Sequence, residues 1–180
     1  MKKAFLLTLI GVIAILVFLY LRPETVTIES AAPPLTGLTG ANVIALEPLR
    51  STVALGDSVV VNLVARDVKD VFGVQLSVRY DPDTLTFVQA DEQSFLSRDG
   101  ADETMYLSSV LNREQPGLVK DFVLVKLGGS GTSGSGVIGT LTFQAKGAGT
   151  ADLSLVDVLV ADQAADPIVV GTSGTSITVK

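Results

Sequence analysis

The stretch Phe72–Tyr80 reads FGVQLSVRY, an unbroken alternation of apolar and polar residues. A period of two belongs to a strand with one buried face. It sends Val74, Leu76, Val78 and Tyr80 toward a core and Gly73, Gln75, Ser77 and Arg79 away from it. The same grammar fills the chain beyond Asn42. Ser58–Ala65 sets Val59, Val61 and Leu63 on one face, and Gly139–Ala145 places Leu141, Phe143 and Ala145 inward with Thr140, Thr142 and Gln144 outward. Further strands are expected at Val43–Leu46, Thr84–Gln89, Met105–Val110, Val119–Leu127, Val137–Lys146, Ala151–Val156, Pro167–Val170 and Ser176–Val179. Asp81-Pro82 suits a type I turn between two of them, with Asp81 capping it. Apart from a short turn near Ser94–Leu96, no window after residue 41 keeps helical periodicity over about 10–12 residues. About nine or ten short strands divided by Gly, Pro, Asp and Ser predict an all-β fold: an antiparallel β-sandwich with jelly-roll topology.

The N-terminus follows another rule. Residues 4–21, AFLLTLIGVIAILVFLYL, form an uncharged run preceded by Lys2 and Lys3. As a helix it would extend roughly 27 Å, close to the hydrocarbon thickness of a bilayer. A secretory signal has a shorter apolar core of about 7–15 residues, and no A-x-A site follows directly. The expectation is one transmembrane helix in residues 1–22 that contacts the lipid bilayer through residues 4–21. The lysine asymmetry puts the N-terminus in the cytoplasm and the rest outside the inner or plasma membrane. A cleaved signal ending near Ser30-Ala31-Ala32 is the competing reading. Residues 23–41, with Pro23 and Pro33-Pro34, read as a tether, and residues 42–180 as the folded domain.

Composition removes most chemistry. The chain has no Cys and no His, so disulfides, thiolate sites, histidine-activated nucleophiles and the usual zinc sites are excluded. Beyond residue 41 it carries ten basic and seventeen acidic residues, which repels a nucleic-acid partner. Gly128–Gly136 (GGSGTSGSG) lacks the Gly-Lys-Ser/Thr ending of a phosphate loop and reads as a flexible connection between strands. Asp99, Asp102 and Glu103 do not match the spacing of an EF-hand and read as a solvated acidic loop, with calcium binding the lesser alternative. No active site, cofactor or metal is expected, and the chain is read as a non-enzyme. Direct polysaccharide binding is disfavoured: Trp is absent, and the tyrosines are Tyr20 in the anchor, Tyr80 facing inward and Tyr106 alone.

Several motifs carry a family resemblance: Leu55-Gly56-Asp57-Ser58-Val59, then Phe72-Gly73-Val74-Gln75-Leu76-Ser77-Val78-Arg79-Tyr80-Asp81-Pro82 with Leu85 and Phe87. Gly134–Phe143 (GSGVIGTLTF) and the ending Asp162–Lys180 continue it. Over roughly residues 42–180 the chain resembles a cohesin module, and the Tyr-Asp-Pro…Leu-x-Phe pattern is shared with related carbohydrate-binding modules. The resemblance implies a jelly-roll sandwich of about nine strands and a dockerin-like or other extracytoplasmic protein partner. Type I cohesins carry Asn and Asp on the exposed face of the strand before Tyr-Asp-Pro. Gly73 and Gln75 stand there instead, so the chain is more similar to type II cohesins, and a single module behind an anchor fits non-cellulosomal members. The partner-binding residues implied are Gly73, Gln75, Ser77 and Arg79. The alternative function is carbohydrate binding, or assembly within a cell envelope or secretion apparatus.

Overall fold

Strand patterning translates directly into eleven strands among the described residues, which in this computed structural model are 42–97, 103–107 and 115–180. The expected membrane helix, the tether, and Asp99 and Asp102 lie outside them. Among the described residues no helix is long and apolar enough to cross a membrane. In chain order the strands are β1 (Val43–Pro48), β2 (Thr52–Val53), β3 (Ser58–Val71), β4 (Gly73–Arg79), β5 (Leu85–Glu92), β6 (Thr104–Leu107), β7 (Leu118–Lys126), β8 (Thr132–Ala145), β9 (Gly149–Ala161), β10 (Gly171–Ser173) and β11 (Thr175–Val179). They build a five-stranded sheet, β10-β1-β3-β8-β5, and a six-stranded sheet, β2-β11-β9-β4-β7-β6.

Four expectations change. The sandwich is not purely antiparallel, because β1 pairs with β10 and β11 with β2 in parallel. The sequence analysis places no strand at the two-residue β2. Pro167–Val170 supplies only an isolated bridge, Ala161 to Pro167, and the strand begins at Gly171. The glycine-rich segment is no free loop from end to end, since Thr132–Gly136 belongs to β8 and pairs with β3.

Inward positions meet as the alternation requires. Leu63, Leu76, Leu85, Leu124, Leu141 and Phe143 are fully buried between the sheets. Tyr80 and Phe87 pack their rings edge-on to Phe143, with centroids 5.2 and 5.7 Å away, and Tyr106 lies 5.1 Å from Phe122. Phe122 reaches across to β8 at Gly139, where a Cβ would fall 2.5 Å from its Cζ. Only a glycine leaves room for that ring.

Bulges interrupt the ladders at aspartates. Asp67, Asp70 and Asp121 hold φ of 49, 55 and 56°, a left-handed conformation that short polar side chains tolerate. In each, the backbone N–H donates to a serine hydroxyl of a neighbouring strand: Ser135 at 2.9 Å, Ser133 at 2.9 Å and Ser77 at 3.2 Å. Serine thus replaces the carbonyl that the bulge displaces. Lys126 is buried at 1% exposure, and its Nζ donates to Thr132 Oγ1 at 3.2 Å, tying β7 to β8.

Candidate functional site

β4 lies inside the six-stranded sheet between β9 and β7, so side chains of three strands share its outer face. Residues directly opposite in a ladder point the same way. With Val74, Leu76 and Val78 in the core, the register gives the outer face row by row. One row runs Met105, Val125, Gly73, Ala161; the next runs Leu107, Val123, Gln75, Leu159. A Cβ at Gly73 would rest 3.5 Å from Val125 Cγ2, which places the two on one side. Leu107 is 42% exposed, Met105, Val123 and Leu159 are half-buried, and Val125 and Ala161 are buried at 6% and 9%.

Below these rows the ladder steps. Register shifts fall on both sides of Ser77, between Leu76 and Val78 against β7 and between Gln75 and Ser77 against β9. Asp121 on β7 and Asp157 on β9, with φ of 56 and 53°, carry the left-handed turns. Past the step, Arg79 stands between Leu118 and Ser154.

The structure therefore separates the four residues that the alternation groups together. Gly73 and Gln75 are half-buried and Arg79 is exposed. Ser77 is corrected: at 2% exposure it offers no surface hydroxyl, because its Oγ accepts the Asp121 N–H within the sheet. Gln75 has a distinct state. Its Oε1 is shut off from solvent and has no hydrogen-bond partner. Sequence reasoning centred on β4 missed the neighbours that make the face, namely Met105, Leu107, Val123 and Leu159. A signal was present. Phe122–Val125 and Val158–Ala161 are apolar at successive positions, which in a strand means apolar residues on both faces.

The opposite sheet is more polar on its outside. Its outer rows run Thr86, Gln144, Ser58; Gln89, Thr142, Val60; Asp91, Thr140, Asn62, Glu47; and Val137, Val64, Ala45, Ser173. That face is mostly hydroxyl, amide and carboxylate, with aliphatic side chains at Val60 and in the last of these rows, and these rows contain no aromatic residue. Tyr106 turns its ring to Phe122. Asp81 caps its turn as expected: it accepts the Asp83 N–H at 2.9 Å and the Thr84 hydroxyl at 2.5 Å. Those bonds, the Thr84 one first, hold its carboxyl below the ordinary 3.8. Glu103 is exposed, and among the described residues no acidic cluster has the arrangement of a metal site. A groove of about 450 Å³ beside Tyr80, Pro82, Phe87, Pro116 and Lys146 holds no nucleophile with a base.

Comparison with known proteins points to this same architecture. The family model for the cohesin domain matches residues 44–180. No curated protein matches the chain in sequence. Among solved structures, the sixth cohesin of scaffoldin B from Acetivibrio cellulolyticus, in complex with a Cel5 dockerin variant, is 18% identical at a TM-score of 0.61, covering 78% of this chain and 100% of that one. A type II cohesin domain from the cellulosome of the same organism gives 15%, 0.61, 77% and 95%. A non-cellulosomal cohesin from the archaeon Archaeoglobus fulgidus gives 15%, 0.59, 78% and 92%.

Proposed function

The chain belongs to the cohesin family, and from that premise we propose that residues 42–180 form a docking module that receives a dockerin-type protein partner on the outer face of β9, β4, β7 and β6. Cohesins are protein-binding, non-catalytic modules, and solved relatives are held in complex with dockerins. The observation that carries the assignment to this face is its chemistry. Leu107, Val123 and Leu159 gather aliphatic side chains around Gln75 on the outside of this sheet, on the strand face whose neighbours include the motif residues Gly73 and Arg79, whereas the outer face of the other sheet is mostly polar apart from Val60 and the row of Val137, Val64 and Ala45. Aliphatic side chains brought together outside a core suit contact with another protein. Gly73, Gln75 and Arg79 remain contact residues; Ser77 acts by holding the bulge beside them.

Residues 1–22 are read as a membrane anchor, residues 23–41 as a tether, and the module as displayed outside the inner or plasma membrane. The support is the uncharged run over 4–21 and the two lysines before it. Capture with the purified chain from cells that carry dockerin-bearing proteins, followed by calorimetric titration, tests the docking reading: wild type binds and Leu159→Gln loses at least about tenfold. Equal affinities would remove the face from the mechanism. Membrane fractionation with protease access on spheroplasts tests the anchor, and a body released into the medium with its N-terminus near Pro33 would refute it.

A further inference from the structure

We propose that the open edge of β5 is a second binding site, taking an extended peptide that adds to the sheet as a strand, places an aliphatic side chain in the groove beside Tyr80 and sets a carboxylate against Lys146. Among the described residues β5 has one strand neighbour, β8, and ends the five-stranded sheet. The ladder fixes which backbone groups turn away from β8. Thr84 O accepts the Lys146 N–H at one end, and Ile138 O accepts the Gln93 N–H at the other. In the alternation of an antiparallel pair, Thr86, Gln89 and Asp91 then bond to β8, while Leu85, Phe87 and Ala90 turn their peptide groups to the open side. The Leu85 N–H already donates to Asp81 O on that side. The Leu85 carbonyl and the N–H and C=O of Phe87 meet no partner among the described residues. Edge strands are commonly guarded by proline or lysine. β5, LTFVQADE, has neither, and its one guard is the bulge at Val88.

The groove of about 450 Å³ opens at this edge: four successive residues, Leu85 to Val88, line it together with Tyr80, Pro82 and Pro116. Leu85 and Tyr80 are buried, Phe87 is half-buried against Phe143, and Val88 is exposed. In an added strand the residue opposite Phe87 points the same way as Phe87, toward the space between the sheets. An aliphatic side chain at that position enters the groove, while its peptide group exchanges hydrogen bonds with Phe87. This is strand addition with a side-chain pocket for register. Lys146 is the one charged residue lining the groove; it is exposed and has no ion pair among the described residues. The Asp81 carboxylate nearby is engaged by the Asp83 N–H and the Thr84 hydroxyl. A strand antiparallel to β5 runs from Phe87 toward Leu85, the Lys146 end, so the partner's carboxylate follows its aliphatic residue. A second copy of this chain fits worse. Two β5 strands paired about Phe87 would bring Asp91 toward Asp83, and Leu85 and Phe87 are already packed in their own core. No residue of this site belongs to the β4 face, so the two sites are separable.

The probe is a blocked peptide, Thr-Gln-Thr-Ile-Thr-Glu-Thr, with three relatives: one N-methylated at Ile, one with Ser for Ile and one with Gln for Glu. Affinities are measured by titration on the purified full chain, with amide hydrogen exchange locating the peptide. The parent peptide is expected to protect the Phe87 amide, and each relative to bind about tenfold more weakly. Lys146→Glu should weaken the parent peptide about tenfold, spare the Gln relative and melt with wild type, because Lys146 is exposed. An N-methylated peptide that binds as well as its parent overturns strand addition, and this arm leaves the protein unaltered. Absence of protection at Phe87 with every peptide overturns the site. A Phe87 amide protected by self-association of the chain assigns the edge to a second copy and overturns the proposal. Leu159→Gln is expected to leave peptide affinity unchanged; a tenfold loss there would put the peptide on the β4 face and overturn the inference.

Discussion

Replacing Gly139 by Ala tests how closely the two sheets approach. The added methyl would stand 2.5 Å from Phe122 Cζ, 2.8 Å from Phe122 Cε2 and 3.0 Å from the Asp91 carbonyl oxygen. The ring is fully buried against Tyr106 and the core, so it has no open direction in which to retreat. Overpacking of this kind costs roughly 1–3 kcal/mol. Replacing a strand glycine by alanine also lowers the entropy of the unfolded chain, a stabilising effect of about 0.4–1 kcal/mol, so the net loss should be about 1–2 kcal/mol. The clash has a named partner, which gives a sharper test than the single variant. Phe122→Leu alone should cost roughly 1–2 kcal/mol as a core truncation, and the double variant should cost less than the two single losses added. Urea unfolding of wild type, both single variants and the double gives the coupling energy, expected at about 1 kcal/mol or more. A neutral Gly139→Ala, or strict additivity with Phe122→Leu, would refute the contact between the ring and β8.

Other perturbations separate structure from docking. Ser77→Ala removes the acceptor for the Asp121 N–H and should lower stability by about 1–2 kcal/mol in urea melts; a neutral result would show that the bulge does not need the hydroxyl. Ser77→Asp should cost more, since it places a charge at a buried position. Leu159→Gln should change stability by less than about 1 kcal/mol while lowering partner affinity at least about tenfold, and a matched loss of both would make Leu159 a folding residue only. The Asp81 carboxyl titrates below its ordinary value, so its contribution is fully present above about pH 4 and drains away as pH falls through the lowered folded value. Asp81→Asn should accordingly flatten the acid limb of stability against pH, and parallel limbs would remove Asp81 from it.

What could be read in advance divides along physical lines. β4 and the later part of β8 were legible because a one-sided strand writes its burial into every second residue. β2 and β10 were not, since two or three residues contain too little period to stand out and owe their pairing to parallel neighbours. The start of β8 hid behind glycines and serines, whose role appears only when Ser133 and Ser135 accept N–H groups from the bulges of β3. Ser77 shows why correct parity can still mislead. It alternates with core residues as an outward side chain should, yet bulges on both flanking strands enclose it, and a left-handed aspartate leaves no mark in a pattern of apolar and polar letters. The proposed docking face was half legible for the opposite reason. Phe122–Val125 and Val158–Ala161 break alternation by adding apolar residues where a one-sided strand calls for polar ones. The core gains nothing from Val123 or Leu159, which stand on the outer side with Gln75 between them. Val123 and Leu159 are therefore the side chains on which the proposed docking surface draws.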